Sequence, residues 1–234
     1  FLATFDDGLT PEVPLGDAVQ LSAVSAETVS GKKGKALAIG RTDSVRKAVV
    51  YHLSEDRRNA EAAAQRLPVF PLHHKGTLTF DFQPRGWKIG GKDECYLFRI
   101  YGEGGSILWM RYVRHRGKPV LQAVYGLAHT PAGQSKEKPR QRLNVPIEDL
   151  GPDHWHHVRL SWNERKMTLS VDDRSVTESL AGHTIPPHNG YRLELGVPYG
   201  QHHHAKGETH IDNFKLTREG PETRRPRRLP MAVV

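Results

Sequence analysis

The segment Thr77–Gln83 reads TLTFDFQ and alternates without a break: Leu78, Phe80 and Phe82 project to one side, Thr79, Asp81 and Gln83 to the other. A period of two describes a half-buried strand and cannot lay an apolar stripe along a helix. The same pattern returns in Tyr96–Tyr101, Ile107–His115, Val120–Tyr125, His156–Trp162, Met167–Val171, Tyr191–Val197 and His210–Leu216. Turn-forming stretches separate these runs: Gly102-Glu103-Gly104-Gly105, Arg116-Gly117-Lys118, Asn163-Glu164-Arg165 and Asp172-Asp173-Arg174. Many short strands between turns predict an all-β sandwich or barrel. The 234 residues, with 22 Gly and 16 Pro, suit one large domain of this kind.

One segment departs from the pattern. Ser54–Leu67, SEDRRNAEAAAQRL, has an N-cap serine, acidic Glu55 and Asp56 in its first turn, an alanine run, and Pro68 as a stop. It is expected to be one helix inserted between strands, covering a sheet edge or walling a groove. Leu127–Asn144 and Pro198–Glu208 read as long loops. Glu219–Val234 reads as a basic C-terminal tail after a domain spanning 1–218.

Charge and composition narrow the partners. The net charge of +8 favours anionic partners, although Arg218, Arg224, Arg225, Arg227 and Arg228 concentrate part of it in the tail. Nucleic acid is disfavoured, because the basic loop Lys136–Arg142 and the tail accompany no nucleic-acid motif. No apolar run approaches the roughly 20 residues of a membrane span. Phe1-Leu2-Ala3 leads straight into a strand-like segment without a signal peptide, so a secreted or periplasmic location is expected from the kind of partner alone. Cys95 is the single cysteine; it precedes an apolar strand and reads as a small buried hydrophobe.

Four motifs carry a family resemblance: Phe5-Asp6-Asp7-Gly8; Gly76-Thr77-Leu78-Thr79-Phe80-Asp81-Phe82; Trp155-His156-His157-Val158-Arg159-Leu160-Ser161-Trp162 followed by Met167–Asp173; and Ile211-Asp212-Asn213-Phe214-Lys215-Leu216. In this order they resemble the laminin G-like jelly roll of the concanavalin A-like lectin and glucanase superfamily. Asp173 departs from that pattern, standing where the family's V-D-G turn has glycine. The resemblance implies a two-sheet antiparallel jelly-roll sandwich whose last strand pairs beside the first. It also implies a concave outer face where glycans lie. A structural Ca2+ where first and last strands meet would draw on Asp6, Asp7 and Asp212, residues that equally suit turns and caps.

The pleat assigns faces. Tyr96, Phe98 and Ile100 are expected inward, as are Leu108, Met110 and Tyr112, and Leu121, Ala123 and Tyr125. The outward set then combines Arg99, Tyr101, Trp109, Arg111, His115, Gln122 and Arg192. Flat aromatic rings suit the C–H faces of sugars, and arginine forks suit carboxylates or sulfates, so an acidic polysaccharide is the expected ligand. The plain alternative is a solvated sheet face with cation–π pairs. No acidic trio at i, i+2, i+4 exists for a retaining glucanase, and Glu194 stands alone on its strand. A polysaccharide lyase remains the second reading, with His115 or Tyr101 as base and acid and Arg99 or Arg111 neutralising a uronate. His202 and His204 point the same way on an extended segment, toward a substrate groove or, with His210, a transition metal.

Overall fold

The computed structural model describes residues 1–12, 20–41, 45–52, 71–72, 75–88, 94–102, 105–126, 140–147, 154–163, 165–179, 188–197 and 206–219. The expected helix at 54–67, the histidines 202–204 and the tail from 220 lie outside these residues. In chain order the strands are β1 (Leu2–Ala3), β2 (Gln20–Val24), β3 (Glu27–Ser30), β4 (Lys35–Arg41), β5 (Arg46–His52), β6 (Pro71–Leu72), β7 (Lys75–Lys88) and β8 (Glu94–Gly102). They continue with β9 (Gly105–His115), β10 (Lys118–Gly126), β11 (Arg140–Pro146), β12 (His156–Trp162), β13 (Lys166–Val171), β14 (Arg174–Ser179), β15 (His188–Gly196) and β16 (Lys206–Glu219).

These strands form two antiparallel sheets. The first runs β3-β4-β16-β7-β12-β13-β14, and the second β2-β5-β15-β8-β9-β10-β11. They join at one corner, where β4 hands over to β5 through Gly40 opposite Lys47 and Arg41 opposite Arg46. This is the all-β sandwich allowed by the alternation, in the two-sheet jelly-roll form that the resemblance implies. The last strand lies beside the first: Leu2 pairs with Lys215 and Ala3 with Phe214. The end of the segment read as a loop, Arg140–Asn144, is instead strand, because Leu143 and Val145 alternate into the core against β10.

The core is the set of inward residues of both sheets. Strand β12 buries His156, Val158, Leu160 and Trp162 and leaves His157 and Arg159 exposed. Phe80, Phe98 and Phe214 bridge the sheets, with ring centroids 5.7–6.1 Å apart. Gly76, the first residue of its motif, stands opposite Trp162, and a Cβ there would lie 2.2 Å from the indole. The glycine is therefore a consequence of the tryptophan. Cys95 is buried as expected, its thiol pushed up to about 12 by burial.

Local chemistry closes the turns. In the β9–β10 hairpin Arg116 (φ 51°) and Gly117 (φ 81°) take the left-handed pair that matches strand twist. At the β13–β14 turn the left-handed residue is Asp172 (φ 52°), which explains why Asp173 need not be glycine. Its carboxylate reaches back to β12, accepting from the His157 N–H at 2.8 Å and meeting His156 Nδ1 at 2.8 Å.

The corner between the sheets is held by charge. Lys47 Nζ binds Glu208 Oε2 at 2.6 Å and also meets Glu27, while the other Glu208 oxygen meets His210 Nε2 at 2.7 Å. Burial pushes the Glu208 carboxyl up, but the hydrogen bonds and charges of Lys47 and His210 outweigh it and hold the group below its ordinary 4.5.

Two stability measurements follow from this packing. Gly76→Ala should lower the urea midpoint, at about 1–3 kcal/mol, through the clash with Trp162; an unchanged midpoint would mean the indole is free to move. For the corner, a carboxylate with a depressed pKa stabilises above its unfolded value and loses that contribution as pH falls through the folded one. The stability gap between the wild type and Glu208→Gln should therefore be full at neutral pH and shrink below 4.5. A gap independent of pH would show that the charge of Glu208 is not what holds the corner.

Candidate functional site

The outer face of the second sheet gathers most of the residues singled out in the sequence. Register places them in rows across the strands. One row is Glu194, Arg99, Trp109 and Val124; the next is Tyr96, Arg111, Gln122 and Asn144. Arg192 stands opposite Tyr101 at one end. Strands β9, β10 and β15 present the faces expected of them. Strand β8 does not: Tyr96 lies on the outer face and Leu97 in the core. The cause is a β-bulge between Tyr96 and Phe98, which places two consecutive residues, Leu97 and Phe98, inward. The run Cys95-Tyr96-Leu97-Phe98, four apolar residues without alternation, is its trace in the sequence.

The bulge changes the site. Trp109 faces outward but is only 7% exposed, forming a second small apolar cluster with Tyr96, Val124 and Val197. It therefore presents no open ring for a sugar to stack on. Val197 joins this cluster directly after Gly196, whose φ of 78° turns the chain. The more accessible groups are polar: side-chain exposure is 26% for Arg192 and 21% for both Arg111 and Glu94.

Two hydrogen-bonded groups occupy the face. In the first, Arg111 donates from Nε and Nη2 to the single oxygen Gln122 Oε1, at 3.0 and 2.8 Å. Its Nη1 serves Glu94 and the Tyr96 hydroxyl. Gln122 Nε2 in turn donates to Asn144 Oδ1 at 2.8 Å. In the second group, Glu194 lies between two arginines, with Arg192 Nε at 3.2 Å and Arg99 Nε at 3.9 Å. Arg99 stacks over the Tyr96 ring at 4.2 Å and donates to the Tyr101 hydroxyl at 3.1 Å, while Arg192 covers the Tyr101 ring at 4.1 Å. Burial raises the Glu194 carboxyl above its ordinary range, with Arg192, Arg99 and a Tyr101 hydrogen bond pulling it back. Burial likewise raises the Tyr96 phenol, reinforced by Glu94 and opposed by Arg111.

Arg99, Arg111 and Arg192 are thus paired internally with Glu94 and Glu194, while Arg142, opposite Val124 on β11, is exposed. The face is a preset array of donors and acceptors rather than a block of free positive charge. His115 and Tyr101 are not brought together. They lie at opposite ends of the face, four outward rows apart, about 25 Å at the rise of a strand. A base and an acid for one glycosidic bond do not converge there. Glu94, Tyr96 and Asn144, which complete the network, escape sequence reasoning because the bulge and the β11 register bring them in.

Two of the three aspartates assigned to calcium accept backbone N–H groups. Asp6 Oδ1 accepts the Lys35 N–H at 2.8 Å, and Asp212 Oδ2 accepts the Lys32 N–H at 3.1 Å. Both tie down the turn between β3 and β4, where a Cβ on Gly34 would lie 2.0 Å from Asp6 Oδ1. Asp81, opposite Asp212, collects Lys32 Nζ at 3.2 Å, His157 Nδ1 at 3.0 Å and Asn213 Nδ2 at 3.0 Å.

The two antiparallel sheets form a jelly-roll sandwich. A laminin G domain model matches residues 128–213. No curated protein matches the sequence. Among solved structures, the binding domain of botulinum neurotoxin DC in complex with SialylT aligns with a TM-score of 0.60 at 10% identity, covering 92% of this chain and 46% of that one. A botulinum neurotoxin type C structure, whose cell entry is described as dependent upon interaction with two ganglioside molecules, aligns at 0.57 and 9% identity, covering 85% and 42%. The binding domain of Paraclostridial Mosquitocidal Protein 1 aligns at 0.53 and 9% identity, covering 85% and 44%. The chain spans a little under half the length of these structures, and at such identity the likeness is one of fold.

The Arg111 network has a measurable consequence. Arg111→Ala strips the donors from Gln122, which is 2% exposed. It should lower stability by about 1–3 kcal/mol, the range for a buried polar group left unpaired. Arg111→Lys, with charge but no fork, should recover only part of that loss. Equal stability of all three proteins in urea would show that the network is not closed in solution.

Proposed function

We propose that this chain is a glycan-recognition domain that binds carbohydrate on the outer face of the second sheet. The observation that carries the reading is the Arg111-Gln122-Asn144 relay, in which each planar polar group is oriented by the next. Such pre-orientation lowers the entropy lost when a ligand's hydroxyls are gripped. Arg192 and Tyr101, stacked at 4.1 Å, form a second grip at the other end of the face. The structural neighbours support the reading through what is said of them: one is a complex with SialylT, another concerns interaction with gangliosides.

The ligand we favour is an acidic polysaccharide. Four arginines, Arg99, Arg111, Arg142 and Arg192, stand against Glu94 and Glu194 and leave the face with an excess of positive charge. Arg192 is the accessible fork for a carboxylate. Such a partner places the domain outside the cytoplasm, secreted or periplasmic.

Affinity electrophoresis against alginate, pectate, glucuronan, chondroitin sulfate and neutral glucans tests this. Uronate polymers should retard the protein more than neutral glucans do, and Arg192→Ala should weaken that retardation about tenfold, some 1.4 kcal/mol. Migration unaffected by every glycan would overturn the function. Retardation by neutral glucans alone would overturn the acidic preference.

A further inference from the structure

Glu194 is a carboxylate at 1% exposure on a face that reads as a binding surface. It lies between two arginines of unequal freedom: the Arg99 side chain is 8% exposed and that of Arg192 is 26%. Arg99 is pinned, its guanidinium over the Tyr96 ring and its Nη1 donating to the Tyr101 hydroxyl. Arg192 rests on the face of the Tyr101 ring and against Glu194.

The contact between Arg192 and Glu194 is close but poorly aimed. Arg192 Nε stands 3.2 Å from Glu194 Oε1, yet among the described residues neither atom has an aligned hydrogen bond, and both are shut off from water. The pair is held by charge without the parallel bonds that a guanidinium fork makes to a well-placed carboxylate. A carboxylate arriving from solvent can offer Arg192 those bonds. Arg99 stays where its aromatic partners hold it, with its Nε 3.9 Å from the other Glu194 oxygen.

The consequence falls on Glu194. Once Arg192 turns away, a carboxylate whose side chain is 2% exposed is left with Arg99 at 3.9 Å. Ionisation is costly in such a place, and a proton relieves it. Burial already pushes this carboxyl above its ordinary 4.5 with both arginines present, and Arg192 supplies the larger of the two pulls that oppose it. From β8, Arg99 and Tyr101 face the carboxyl, with Tyr96 stacked on Arg99. On β9 the row continues with Trp109, and Arg111 stands in the next row. From β5, Val50 is opposite Glu194 and His52 is opposite Arg192. Histidine also titrates near neutrality, so an experiment must tell His52 from Glu194.

We propose that an acidic glycan binds this face by exchange: its carboxylate takes Arg192 from Glu194, and Glu194 takes a proton from solvent. The inference rests on the glycan reading above and adds the residue that makes the site pH-dependent. Charge balances, because the incoming anion replaces the one that is neutralised. The complex holds more protons than the free protein, so affinity rises as pH falls while the sugar carboxylate stays ionised.

Calorimetric titration in buffers of different ionisation enthalpy counts the protons taken up. The probes are hexamers of pectate, alginate and glucuronan, with the carboxyl-reduced hexamers as neutral controls, from about pH 4.5 to 8. The wild type should take up as much as about one proton per hexamer bound, and its Kd should weaken by up to about tenfold per pH unit as pH rises through that window. Glu194→Gln holds the neutral form permanently; it should bind with no uptake and with a Kd independent of pH. Uptake that persists in Glu194→Gln would assign the proton to His52 and overturn the inference. Binding by the wild type with no uptake at any pH would also overturn it, while leaving the glycan reading intact. Binding by no hexamer would overturn both.

A second measurement needs neither the ligand nor that variant. The NMR signal of the isotope-labelled Glu194 carboxyl, followed against pH, should move its midpoint up by about 1–3 pH units in Arg192→Ala. Binding of a uronate hexamer to the wild type should move it the same way. A midpoint unmoved by Arg192→Ala would show that Arg192 does not hold the charge on Glu194, and the exchange would fall.

Discussion

Phe80 of β7, Phe98 of β8 and Phe214 of β16 meet between the sheets, and the rest of the structure hangs on that contact. Where their strands alternate apolar with polar, burying the three rings sets the facing of the neighbours. With Phe80 inward, Thr77, Thr79 and Asp81 must face out on the first sheet. With Phe98 inward, Arg99 must face out on the second. Phe214 brings the last strand against both β7 and the first strand, closing the sandwich. The aromatic contacts add to area burial because the rings meet edge to face and stacked rather than at random.

Both strands need an irregularity to bring their rings to the same place. In β16 the register slips between Asp212 and Lys215, with Asn213 left-handed at φ 53°, so that Ile211 and Phe214 can both point inward. In β8 it slips between Tyr96 and Phe98. The second bulge has the larger functional effect. It delivers Tyr96 to the outer face, where its ring supports Arg99 and its hydroxyl receives Arg111. It also draws Trp109 into a buried cluster. The binding face is consequently one of oriented polar groups, not of open aromatic platforms.

What was legible in the sequence follows from this physics. Period-two alternation fixes facing wherever a strand is regular, so Leu108, Met110, Leu121, Ala123, Leu193 and Leu195 are found in the core, as alternation requires. Where a bulge intervenes the period breaks, and Tyr96 and Leu97 exchange sides. Pairing partners were not legible. Nothing in single strands says that Glu194 will meet both Arg99 and Arg192, or that Asn144 will complete the Arg111 relay, because these contacts depend on strand order and register. The same gap hid the electrostatics. Counting arginines suggests a positive face on the second sheet, yet glutamates on neighbouring strands pair with them.

The central claim is that oriented polar groups on the outer face of the second sheet hold a glycan. A crystal structure of the chain grown with an acidic oligosaccharide tests it most directly. The account predicts sugar density over β8 to β11 and β15, with Arg111 still bound to Gln122 and Arg192 turned to the carboxylate. Sugar density elsewhere on the molecule, with this face bare and its arginines still locked to Glu94 and Glu194, would contradict it.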